Sequence, residues 1–134
     1  MSGGRRSIAL TGPWVAIAAA YDDTTARNPS LHVDVRLLAA ARSRMEFSGH
    51  AHFRRGELRT ILSRLTESTG ELVPLSPNYV TRRINWLVGA TVLAAGSWSE
   101  CLVLPPFGVQ CGRRSATASP CPKRPVGRAE NLAT

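Results

Sequence analysis

This 134-residue sequence has one lysine, nine acidic residues, three cysteines and no apolar run of the ~18 residues that a membrane span needs. Each shortage excludes something. The few carboxylates (Asp34, Glu46 and Glu57 among them) are scattered and form no acid/base pair. No phosphate-binding G-x-x-x-x-G-K-[ST], no G-x-S-x-G elbow and no H-E-x-x-H metal helix occurs, so an enzyme is not expected. An odd cysteine count argues against a closed disulfide framework and fits a reducing cytoplasm. His50 and His52 form an H-x-H pair, and Cys101, Cys111 and Cys121 recur at ten-residue intervals. No closely spaced cysteine pair accompanies them, so neither a metal nor a cofactor is expected. Cys101 reads as a buried hydrophobe on an apolar strand. Arg5 and Arg6 precede the apolar run Trp14–Ala20, but Gly12 and Pro13 interrupt it and Asp22 and Asp23 follow at once, which does not read as a signal peptide.

What is present in quantity is arginine. Lys+Arg number 17 against nine acids, giving a formal net charge of +8 and a pI near 11.0. All but Lys123 are arginine, the better bidentate partner of phosphate and guanine. A surplus of this size concentrates a protein near polyanions.

The periodicity predicts one domain over residues 13–111, a basic lead-in over 1–12 and a Pro- and Arg-rich disordered tail over 112–134. Trp14–Tyr21 reads as a short helix or strand, and Asp22–Ser30 as a loop with a turn at Asn28-Pro29. A helix is expected over Val33–Glu46, with Leu38, Ala41 and Met45 on its apolar stripe and Arg36, Arg42 and Arg44 mostly off it. His50–Phe53 is a brief extended piece. Gly56–Leu65 places Leu58, Ile61, Leu62 and Leu65 on one helical face. Thr66–Pro77 is a turn region. Ser76 and Pro77 are the N-cap and first position of a helix over Pro77–Val88, with Val80, Ile84, Leu87 and Val88 inward. Thr91–Ala94 and Glu100–Leu104 read as two strands around a turn at Gly96-Ser97.

This order resembles the winged helix-turn-helix family, most closely its small members from actinobacteria, their phages and plasmids. The likeness is carried by "HFRRGELRTILSRL" as strand and second helix, "LSPNYVTRRINWLVGATVLA" as recognition helix running into the wing, and "GSWSECLVLP" as the return strand. One departure is the connection Thr66–Ser76, longer than the 3–4-residue turn of the simple motif. The resemblance implies a mainly α fold with a small antiparallel β-hairpin, and a third helix that lies in the major groove of double-stranded DNA.

At 100° per residue, Asn78, Arg82, Asn85 and Trp86 lie opposite the apolar side, Tyr79 beside them, and Thr81 and Arg83 on the flanks. Asn78, Tyr79 and Arg82 are the base-edge candidates, because the N-terminal half of such a helix reaches the bases. Arg83 and Asn85 are expected at phosphate or sugar. Ser76 and Thr81 complete that helix's candidate contacts. Arg54 and Arg55 precede the second helix, where they either join backbone N–H groups in holding a phosphate or are simply solvated. Ser97 and Trp98 sit at the wing tip, though Trp98 can instead fold back on the core, and Trp86 can pack against the N-terminal segment or a dimer mate. No acid occurs between Leu72 and Ser99. The expected role is bacterial or phage transcriptional regulation in the cytoplasm, at the nucleoid. Plasmid or phage replication or partition, and a protein-interaction module built on the same fold, are the alternatives. Homodimers are frequent in the family. Here a dimer would use Trp14–Tyr21 or the first helix.

Overall fold

The computed structural model describes residues 13–106 and 109. The expectations for the lead-in, for Cys111 and Cys121 and for the basic tail lie outside the described residues. Eight elements follow in order: α1 (Ala19–Ala26), α2 (Val33–Arg44), β1 (His50–His52), α3 (Glu57–Ile61), β2 (Arg64–Leu65), β3 (Leu72–Val73), α4 (Pro77–Gly89) and β4 (Cys101–Val103). The described chain is therefore mainly helical, with two small antiparallel sheets. β1 pairs with β4 in the register His50↔Val103, Ala51↔Leu102 and His52↔Cys101. β2 pairs with β3 as Arg64↔Val73 and Leu65↔Leu72.

α2 is the central helix. Leu37, Ala39, Ala40 and Ala41 are all buried, and consecutive residues at 100° spacing can be buried together only when neighbours cover most of the helix circumference. Sharing one buried cluster with it are Ala26 of α1, Ala51 and Phe53 beside β1, Leu58 and Ile61 of α3, and Val80, Ile84 and Leu87 of α4. Each of those larger side chains contributes roughly 1.5–3 kcal/mol by leaving water.

Arginines on α2 make the ties between helices. Arg36 is 3% exposed, contrary to its expected place off the core stripe. Its Nε donates to Ala26 O (2.9 Å) and its terminal nitrogens to Ile61 O (3.1 Å) and Leu62 O (3.4 Å). One guanidinium thus satisfies the carbonyls left open at the ends of both α1 and α3. Burial lowers its pKa from the usual arginine value. Arg42 binds Asp22 of α1 through two bonds of 3.0 and 3.1 Å. Arg44 donates to Glu57 of α3 at 2.6 Å.

Three expected elements come out differently. Asp22–Ser30 is not all loop, because α1 continues to Ala26. The buried Asp22 carboxylate is held by Arg42, a tertiary tie that outweighs the polar local sequence. The turn itself is where expected, with Ser30 N donating to Asn28 Oδ1 at 2.9 Å. The Gly56–Leu65 helix stops at Ile61. Ser63 N and Oγ both donate to Thr60 O, Arg36 takes the next two carbonyls, and Leu65 passes into β2, half-exposed. The β2–β3 hairpin then fills the long connection, closing through Gly70 at φ 69°.

The third difference is the first wing strand. Thr91–Ala94 is not a strand. Thr91 N donates to Val88 O and Val92 N to Leu87 O, so the end of α4 is closed by a Schellman turn with Thr91 in the left-handed region at φ 61°. Only β4 remains of the expected pair, within the span Glu100–Leu104. The turn before it is held by Ala94 N to Val103 O and an isolated bridge between Trp98 and Cys101.

Candidate nucleic-acid interface

Ser76 caps α4 by accepting from Tyr79 N at 3.2 Å, and Pro77 follows at the first helical position, as the sequence leads one to expect. Val80, Ile84 and Leu87 point into the core, with Val88 half-buried. The opposite side therefore faces solvent. Asn78, Thr81, Arg82, Asn85 and Trp86 are all exposed, and no acidic residue occurs on this helix.

Arg82 and Arg83 differ sharply. Arg82 has its guanidinium 5.5 Å from the Tyr79 ring centroid, a contact that orients it without neutralising it. Arg83 binds Asp34 of α2 in a bidentate pair, Nε to Oδ1 at 2.9 Å and a terminal nitrogen to Oδ2 at 2.5 Å. That hydrogen-bonded pairing raises its pKa above the ordinary arginine value. Arg83 also lies 5.1 Å from the Trp86 ring centroid. Its expected phosphate role gives way to a tie between α4 and α2.

Five expected residues come together around one groove of about 1090 Å³ between α3, α4 and the turn before β4: Arg55, Thr81, Asn85, Ser97 and Trp98. Arg59 lines it too, and Glu100 is the one acid in its wall. Ser76 and Tyr79 lie on the other flank of α4, lining a second depression of about 720 Å³ with His32, Arg36, Arg59 and Arg64. Arg82 and Asn78 line neither depression.

Ser97 is a correction. It is buried, and its hydroxyl donates to Ala94 O and accepts from Val103 N, both at 2.9 Å. It shapes the turn from within, because a two-strand wing with an exposed tip does not form here. Trp98 is half-buried, and the outermost residues of the turn are Ala95 and Gly96. The α3 end is also altered. Glu57 Oε1 accepts Arg54 N–H at 2.9 Å, so the first residue of α3 folds back on the chain that enters it. The hydrogen bond from Arg44, then that from Arg54, lowers the Glu57 pKa to about 2. The side chains of Arg54 and Arg55 remain exposed.

The H-x-H pair and Cys101, from which no metal site was expected for want of a close cysteine pair, are brought together by the fold. His50, His52 and Cys101 each bring one ligand atom to within 4.8 Å of the others. His50 and His52 share a face of β1, two residues apart, and Cys101 is the direct cross-strand partner of His52. The H-x-H spacing was visible, but the thiol arrives from a strand 49 residues away.

No family model, no curated protein and no solved structure matches this chain.

Proposed function

We propose that this protein binds double-stranded DNA, with the outer face of α4 in the major groove and the turn around Gly96 as a secondary contact. The observation that carries the reading is the crest of α4: Asn78, Arg82 and Asn85, with Thr81 on its flank, all exposed on a capped helix that bears no acid. Arg is suited to guanine O6/N7 and Asn to adenine N6/N7, at ~1–3 kcal/mol of discrimination per good bidentate contact. Arg55 and Arg59 on the flanking groove supply cations for a phosphate backbone beside that crest. The pairing of β1 with β4 around α3 and α4 is compatible with a reduced winged helix-turn-helix, its wing shortened to a turn.

On this reading the protein is a bacterial or phage regulator of transcription. A replication or partition protein would use the same surface at a different site. The exposed Trp14, Val15 and Ile17 ahead of α1 are suited to a two-fold homodimer, which would read a palindrome. Trp86, 58% exposed beside Arg83, favours one further reading, docking of a protein partner on α4.

The test is selection of bound genomic fragments, followed by affinity measurements at two salt concentrations. Arg82→Ala is expected to weaken the selected site by ~1–3 kcal/mol while leaving random DNA nearly unchanged. Equal loss on both would remove base reading from Arg82. Absence of salt-dependent binding to any duplex would favour the protein partner.

A further inference from the structure

We propose that β1 and β4 together hold a divalent transition-metal ion, zinc in the first instance, ligated by His50, His52 and Cys101. Two imidazoles and a thiolate form a borderline-soft donor set suited to Zn²⁺. The geometry is close to what the ion needs. His50 Nδ1 lies 3.4 Å from Cys101 Sγ, and tetrahedral zinc places a nitrogen and a sulfur ligand about 3.6 Å apart. All three ligand atoms lie within 4.8 Å of one another, so a side-chain adjustment of about 1 Å gathers them on one ion.

His52 adds a second, independent observation. Its Nδ1 faces the Glu46 carboxylate at 3.5 Å, while its Nε2 is buried with no hydrogen-bond partner among the described residues. A ligating histidine characteristically turns one ring nitrogen to a carboxylate and gives the other to the metal. Glu46 is itself tied to β1, its N donating to His50 O at 3.0 Å. The His50–Cys101 pair is not a nucleophile and base serving a substrate, because both side chains are fully buried. His52, whose side chain is 25% exposed beside Glu46, is the member of the set nearest the surface. Binding replaces the Cys101 S–H bond with an S–metal bond, and the proton passes to water. The ion would staple the β1–β4 pair, only three residues long on each side, independently of what α4 binds.

The test uses the full chain, reduced and metal-free, titrated with Co²⁺ and then with Zn²⁺. A thiolate-to-cobalt absorption band in the near ultraviolet is expected to saturate at one equivalent and to vanish when zinc displaces cobalt. Cys101→Ser should abolish the band, and the double variant Cys111→Ser/Cys121→Ser should keep it. Glu46→Gln, a change at an exposed residue that leaves the fold intact, should weaken cobalt binding about 10–100-fold. No band from the unaltered chain overturns the proposal. So does a band that survives Cys101→Ser, or one lost in the double variant.

Discussion

The α2 side and the outer face of α4 use the same residue for opposite ends. On and around α2, each guanidinium has an internal partner: Arg36 on three carbonyls, Arg42 on Asp22, Arg44 on Glu57, and Arg83 reaching across to Asp34. On the outer face of α4, Arg82 keeps its charge available beside Tyr79. Two neighbours in the chain, 100° apart on one helix, are thereby assigned to different work. The difference shows how little net charge says about free charge. The described residues carry ten arginines and eight acids, a surplus of two, so six of the eight net charges lie in residues 1–12 and 107–134. The DNA proposal therefore rests on where Arg82 is placed, and only secondarily on the pI.

Substitutions that cut the inner lattice should sharpen the contrast most. Arg36→Met leaves three buried carbonyls without their donor, and a loss of about 3–5 kcal/mol is expected in a denaturant titration. A loss below about 1 kcal/mol would mean that water or neighbouring groups replace the guanidinium. The Arg44–Glu57 tie gives a pH signature. The folded-state pKa of Glu57 is lowered to about 2 from 4.5, so its contribution is fully present above about pH 4.5 and is lost as pH falls toward 2. Glu57→Gln should cost about 1–2 kcal/mol at neutral pH once solvent screening is allowed for. Its stability curve should converge on that of the unaltered protein as pH falls toward 2. Parallel curves would show that the carboxylate is not held in this way.

The end of α4 lies between the two regimes. Thr91 is a β-branched residue in the left-handed region, where glycine fits without penalty. Thr91→Gly is expected to stabilise the fold by about 1 kcal/mol, read as a higher Tm. The smallest effect on stability belongs to the free side. Arg82→Ala should stay within about 0.5 kcal/mol of the parent in the same titration, because among the described residues its charge meets only the Tyr79 ring. A large loss there would collapse the distinction between the two faces.

How much of this was readable in the chain depends on how local the cause is. The α4 cap at Ser76-Pro77, its inward face at Val80, Ile84 and Leu87, and the Asn28 turn follow from spacing within a few residues, and all three are as expected. The early end of α3 and the continuation of α1 depend on Arg36 and Arg42, whose partners lie 10 to 26 residues away. Helical periodicity placed Arg36 off the stripe because it treats arginine as solvated and cannot see two helix ends converging on it. The wing strand failed for a subtler reason: Val92 and Leu93 look like strand residues, but the Schellman bonds of Thr91 and Val92 claim the backbone first. The His50–His52–Cys101 cluster needed the β1–β4 register, which no short-range spacing encodes.

The central claim is that the outer face of α4 meets DNA, rather than the basic residues outside the described fold doing so alone. An amide-resolved NMR titration of the full chain with its selected duplex tests this most directly. Shifts concentrated at Asn78, Thr81, Arg82 and Asn85, with α2 unaffected, are expected. Shifts confined to the segment from Arg113 to Arg128, with α4 unmoved, would contradict it.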